Sequence, residues 1–107
     1  MDDTTQEVIR NVSKTLCGAR HRLSVAIWIR TQPQDSRFYQ RQIAEGIGTD
    51  ARYVRREMRI LQQLGMITPQ PPTRDVRRFY QADHTHPLWT IIDATLTACA
   101  ELDRQGG

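Results

Sequence analysis

The sequence predicts a mainly α fold with one small β-hairpin, its elements in the order α-α-α-α-β-β-α. Three observations predict it. Apolar residues recur at spacings of three and four along most of the chain, as in helices that bury one stripe. Between residues 66 and 81 that period gives way to two short runs of strand character around a Pro-rich tip. Pro87, well suited to a first helical position, then opens a final helical stripe. At 107 residues the chain has the length of a single domain.

The first helix is expected over about Thr5 to Leu16, where Val8, Ile9, Val12 and Leu16 form one stripe and Cys17-Gly18 supply the stop. A second, from about Arg20 to Thr31, carries Leu23, Val25, Ala26, Ile27, Trp28 and Ile29 and is apolar nearly all round, so it is the most buried helix. Pro33 ends it, and Asp35 or Ser36 is available to cap the next. The third helix, about Arg37 to Glu45, offers Phe38, Ile43 and Ala44 to the core, and Gly46-Ile47-Gly48 forms a short turn. Thr49 or Asp50 caps a fourth helix that runs to about Leu64, with Val54, Met58 and Leu61 facing inward. Met66 to Thr68 and Val76 to Gln81 are the two strands, joined by a loop over 69–75. The last helix, from Pro87 to about Arg104, has the stripe Leu88, Ile91, Ile92, Leu96, Cys99 and Leu102.

The net charge of +3 conceals an uneven distribution. Residues 10–78 hold fourteen basic side chains against five acidic ones, a balance of +9, whereas the two ends hold one against seven, a balance of −6. A basic middle makes a polyanion the first partner to consider, because cations brought to phosphates release counterions. Fourteen of the fifteen cations are arginine, whose planar fork fits phosphate and guanine edges; a GC-rich genome would produce the same ratio.

Helices three and four, joined by a short glycine-bearing turn, make a helix-turn-helix, and the hairpin that follows makes a wing. In that arrangement the fourth helix enters the major groove and the hairpin tip reaches a neighbouring backbone or minor groove. With Val54, Met58 and Leu61 turned inward, its outer face presents Arg52, Tyr53, Arg55, Arg56 and Arg59, opposed nearby only by Glu57. Arg52 and Arg56, one turn apart, are the candidates for base edges; Arg55 and Arg59 suit phosphates, and Tyr53 suits either role. On the wing, Arg74, Arg77 and Arg78 are candidates for backbone or minor-groove contact. Arg37, Gln40 and Arg41 on the third helix complete the DNA-binding set.

Residues 36–67, with Ile43-Ala44, then Val54, Met58 and Leu61, and the exit Leu64-Gly65-Met66-Ile67, resemble the winged helix-turn-helix of bacterial transcriptional regulators in the MarR-like superfamily. The ArsR-type regulators are the nearest subgroup, since they add a terminal helix at each end for dimerisation; the resemblance extends in architecture over about residues 8–102. It implies one winged helix-turn-helix domain over 1–107, with 36–82 reading DNA and 5–17 and 87–104 pairing two copies. The implied function is a sequence-specific repressor that binds duplex DNA as a homodimer in the cytoplasm. Val8, Val12, Leu16, Leu88, Ile92, Leu96 and Cys99 are the candidate two-fold interface.

Other classes are less well served. The thiolate pair that ArsR-type metal sensors carry on the motif helix is missing, because no Cys lies in 37–64. Asp83-His84-Thr85-His86 is the one His cluster; His84 and His86 would suit Zn or Ni, but such residues are more often loop polars and a helix cap before a Pro such as Pro87, so no cofactor is expected. Cys17 and Cys99 fall on apolar stripes and read as small buried hydrophobes. His21, His84 and His86 have no nucleophile or carboxylate at a catalytic spacing, and there is no Gly-rich phosphate loop, so the sequence does not read as an enzyme. No apolar run approaches the ~18–20 residues of a membrane span, and the acidic Met1-Asp2-Asp3 start is unlike a secretory leader. Two alternatives remain open: a winged helix turned to protein contact without DNA, and a Zn- or Ni-responsive repressor.

Overall fold

A computed structural model describes residues 3–106; the first two residues of the acidic start lie outside that range. Among the described residues there are five helices and one small sheet: α1 (Asp3–Cys17), α2 (Arg22–Arg30), β1 (Arg37–Tyr39), α3 (Gln40–Ile47), α4 (Ala51–Gln63), β2 (Ile67–Pro69), β3 (Phe79–Ala82) and α5 (Leu88–Gly106). The sheet is antiparallel in the order β1-β3-β2. None of the helices among the described residues is long and apolar enough to cross a membrane.

The main departure from the sequence reading is β1. Arg37 to Tyr39 were expected to begin the third helix, and instead they form a third strand, with Phe38 opposite Tyr80 and Tyr39 opposite Phe79. Two adjacent aromatic residues favour extended backbone when a facing strand offers rings to pack on. Here it does: Phe38 stacks on Tyr80 at 6.4 Å and Tyr39 meets Phe79 edge-on at 5.6 Å between centroids. Phe38 is buried as expected, but from a strand. Neither Asp35 nor Ser36 caps the helix that follows. Tyr39 is the N-cap residue, and its backbone N–H donates to Gln42 Oε1 at 3.3 Å.

α3 also continues through Gly46 and Ile47, which were expected to be a turn. Glycine is needed at position 46 for closeness rather than conformation. A Cβ there would lie 2.3 Å from the indole nitrogen of Trp28 on α2. Gly46→Ala is therefore expected to push the Trp28 ring aside and destabilise the fold by about 1–3 kcal/mol, a cost of overpacking that urea denaturation would measure. The turn proper is at Gly48, whose φ of 73° is left-handed and whose N–H bonds to the Ala44 carbonyl at 2.9 Å.

Two apolar clusters hold the helices together. The larger draws Val25, Ala26 and Ile29 from α2, Ile43, Ala44 and Ile47 from α3, and Val54, Met58 and Leu61 from α4, closed by Phe38, Met66, Ile67, Ala82 and Trp89. The smaller joins Ile9, Leu23, Ile27 and Cys99, with Val8, Val12, Cys17, Ile92 and Leu96 packed around them. α2 feeds both clusters, as its nearly all-apolar sequence requires. A hydrogen-bonded ion pair from Arg30 to Asp93, at 2.8 and 2.9 Å, fastens α2 to α5, and the same guanidinium donates to the His84 carbonyl at 2.9 Å.

Candidate nucleic-acid interface

α4 is divided cleanly by its period. Val54, Met58 and Leu61 are at most 4% exposed, while Arg52, Tyr53, Arg55, Arg56 and Arg59 all face out. The helix is held in place from three directions. Asp50 caps it, accepting from the Arg52 backbone N–H at 2.9 Å. The Gln40 side chain donates to the Ala51 carbonyl at 2.8 Å and ties the start of α3 to the start of α4. From α2, Arg22 Nε donates to Glu57 Oε2 at 2.9 Å.

That last contact corrects one expectation. Glu57 does not oppose the outward arginines; it is buried and bound to Arg22. Its removal from the surface leaves the exposed side of α4 without a carboxylate of its own. Among the described residues, Arg55, Arg56 and Arg59 have no ion pair at all. Arg52 reaches Asp50 at 3.4 Å and lies over the Tyr53 ring at 5.6 Å, yet it stays 77% exposed. An exposed pair of that kind contributes ~0–1 kcal/mol, so it yields readily to a better partner.

The β2–β3 hairpin stands beside this helix, but its basic residues behave differently from one another. β3 begins only at Phe79, so Val76, Arg77 and Arg78 belong to the loop and not to a strand as expected. Arg74 and Arg78 are exposed and unpaired among the described residues. Arg77 is engaged: it forms a two-toothed pair with Asp75 and covers the rings of Tyr39 at 4.7 Å and Phe79 at 5.4 Å. It braces the hairpin against β1 while its side chain stays half exposed. Its hydrogen bonds hold the Asp75 carboxyl down to about 2, from 3.8. The carboxylate form is favoured, so the brace is complete above pH 3.8 and is lost as pH falls through about 2. A carbon-detected NMR titration should place the Asp75 midpoint near 2, and Arg77→Ala should raise it toward 3.8 without reaching it, because the backbone N–H of residue 77 still donates to the carboxylate.

A notch of about 310 Å³ brings Gln40, Arg41, Arg77 and Arg78 together with Tyr39 and Tyr80, so the start of α3 and the hairpin share one basic surface. Gln40 is already committed to Ala51, which makes it a positioning residue instead of a free contact. Arg37, exposed on β1 opposite Gln81, lies outside this notch. The sequence reading missed a second basic recess, where Arg10, Arg20, His21 and Arg22 face Tyr53 and Arg56. Its signal was present as Arg10, Arg20, His21 and Arg22, but these come from α1, the α1–α2 connection and the start of α2, which only the fold brings against α4. Within it His21 packs on Tyr53 at 5.3 Å; burial foremost, and then Arg20 and Arg10, lower the imidazole's pKa and favour its neutral form.

The candidate pairing residues are divided by the fold. Cys99 is fully buried in the smaller core, where Val8, Val12, Ile92 and Leu96 also pack, and Leu88 packs on the larger one. Those side chains pack within the chain, all but Cys99 only partly buried, and Val12 and Cys99 also reach the outer groove between α1 and α5. What α1 and α5 leave outside overlaps that set: Leu16 of it at 76% exposure, joined by Ile91 at 60% and Leu102 at 51%, beside Ala94 and Ala98 along an apolar groove. The stripes were visible in the sequence, but which flank of each turns inward depends on the packing of α1 against α5.

The His cluster is absorbed by the backbone. His86 Nδ1 lies 3.2 Å from the Leu88 N–H as an acceptor at the start of α5, and His84 Nδ1 lies 3.2 Å from Arg30. Asp83 accepts from the Thr85 N–H and hydroxyl. Among the described residues no group of three or more His, Cys, Asp or Glu is arranged to hold a metal ion. Both cysteines are free, and burial raises the pKa of the Cys99 thiol. The chain matches no family model, curated protein or solved structure.

Proposed function

We propose that this protein is a sequence-specific DNA-binding transcriptional regulator of the winged helix-turn-helix class, acting as a homodimer, with α4 as its recognition helix and the β2–β3 hairpin as its wing. One observation carries the reading: the exposed face of α4 holds four arginines and a tyrosine while its one carboxylate is buried against Arg22. A helix whose only need was solvation would intersperse acids among those cations, as exposed helix faces commonly do. The notch at Arg41, Arg77 and Arg78 supports the same surface, because α3 and the hairpin flank the helix as phosphate-contacting parts do. ArsR-type repression is the form the sequence resemblance favours.

The test is selection of bound duplexes from a random library, followed by anisotropy titration of the best sequence. Enrichment of a pseudo-palindrome with half-sites about one turn, ~34 Å, apart is the expected result. Duplex binding that is equally tight for every sequence, or absent at low salt, rejects the reading.

The two-fold is assigned to the outer groove of α1 and α5, where Leu16, Ile91 and Leu102 are exposed. Large apolar side chains grouped in this way mark an association surface. Ile91→Glu, a change at a side chain that faces solvent in one subunit, should leave the helical circular dichroism intact. It should convert a dimer to a monomer in sedimentation and weaken duplex binding with it.

A further inference from the structure

The recess between α4 and the α1–α2 connection has a volume of about 750 Å³; its polar lining is Arg10, Arg20, His21, Arg22, Tyr53 and Arg56, with one carboxylate, Glu57. Its charges are only half matched. Arg10 is paired with Glu7 and Arg22 with Glu57, each at 2.9 Å. Arg20 and Arg56 form no ion pair among the described residues, although Arg20 lies near enough to Glu7 to lower its pKa, and Arg10 Nε is buried without a hydrogen-bond partner. Guanidinium groups gathered around one concavity repel each other, and a buried N–H without an acceptor costs free energy. Both costs fall when an anion enters.

We propose that this recess binds a small organic phosphate, whose dianionic head is shared by Arg20 and Arg56 and whose ring lies against His21 and Tyr53. A phosphate monoester carries on one head the two negative charges that two unmatched forks call for. The volume exceeds what inorganic phosphate fills, and the His21–Tyr53 pair, 5.3 Å between centroids, offers ring faces beside the cations. The site is argued from the recess alone; its regulatory consequence rests on the duplex reading given above. Tyr53 and Arg56 belong both to the recess and to the outer face of α4. A ligand that holds Arg56 withdraws it from DNA, so the organic phosphate and the duplex compete.

Calorimetry without DNA tests the site, with adenosine and cytidine monophosphates as probes and inorganic phosphate for comparison. Saturable binding of one nucleotide per chain is expected, with inorganic phosphate weaker. Arg20→Ala should weaken it by about tenfold or more, the loss of one charge-assisted contact. Lys14→Ala, which removes an equal charge outside the recess, should leave it unchanged, and circular dichroism confirms that both variants fold. Absence of saturable heat with either nucleotide, or equal losses in the two variants, overturns the site. A duplex titration then separates the two readings. Nucleotide that displaces duplex from the wild type but not from Arg20→Ala supports the coupling, and duplex affinity indifferent to bound nucleotide overturns it. Nucleotide binding with no duplex binding leaves the site standing and rejects the DNA reading. Duplex binding that Arg20→Ala weakens, with no nucleotide bound, makes the recess part of the duplex surface and rejects the ligand.

Discussion

Arg55→Ala combined with Arg59→Ala is expected to lower duplex affinity by about a thousandfold at 0.1 M salt and to flatten its salt dependence. Both guanidinium groups are exposed and neither has an ion-pair partner among the described residues, so the free protein gives up nothing to present them. Counterion release at one phosphate supplies roughly 1 kcal/mol at that salt concentration, and a dimer loses four such contacts, about 4–5 kcal/mol in all. The slope of log affinity against log salt should become shallower by about 3–4, which anisotropy titrations between 50 and 200 mM salt would show. The loss should be much the same for the selected duplex and a scrambled one, because phosphates carry no sequence. Arg56→Ala is the informative contrast, since a base-edge contact should cost about 1–3 kcal/mol in each half-site, about 2–6 kcal/mol for the dimer, on the selected duplex alone. Equal losses for both variants on both duplexes would remove the distinction between reading and anchoring residues. No effect from the double replacement would remove α4 from the interface.

How much of this surface could be read from the chain depended on the range of the interactions involved. α4 was legible almost residue by residue: its cap at Asp50, its inward Val54, Met58 and Leu61 and its outward arginines all follow from a period of 3.6 and one capping hydrogen bond. β1 was not. Arg37-Phe38-Tyr39 has no strand signal long enough to outweigh a helical continuation, and the rings that settle it stand about forty residues downstream on β3. Glu57 shows the same limit on a helix. Its position beside four arginines suggested exposed pairing, but Arg22, on another helix, takes it inward. Arg77 shows a complementary limit: a basic residue on a hairpin looks unpaired until a carboxylate two residues earlier, the Phe79 ring two residues later and the Tyr39 ring from β1 are placed around it. Local sequence thus reports the longer helices, while the short strand β1 and the spare charges at the site are settled only after long-range contacts have formed.

The same reasoning makes Trp89 the position where the fold is most exposed to a single change. α5 carries the outward groove assigned to pairing, yet most of its length packs on the smaller core alone, and Trp89 is its one buried anchor in the larger cluster. The indole is fully buried, with the Arg30 guanidinium 5.8 Å above the ring and the His84 ring 5.8 Å away. Trp89→Ala should cost about 3–5 kcal/mol, since the cavity is too large for its neighbours to fill. In a domain whose whole stability is of order 5–15 kcal/mol, that lowers the midpoint of thermal unfolding by at least about 12 °C. Trp89→Phe should behave quite differently. The indole N–H is buried without a hydrogen-bond partner, and phenylalanine keeps much of the packing while removing that orphan donor. The relief of an unsatisfied donor offsets part of the lost volume, so the phenylalanine variant should lie within about 1–2 kcal/mol of the wild type. Denaturation followed by far-ultraviolet circular dichroism would measure both, and it avoids the fluorescence of Trp28, which remains in each variant. If alanine proved as mild as phenylalanine, Trp89 would not be anchoring α5. The helix would then have to be held by Arg30, Asp93 and the Cys99 cluster, and the groove on its outer side would lose the rigid support that pairing requires.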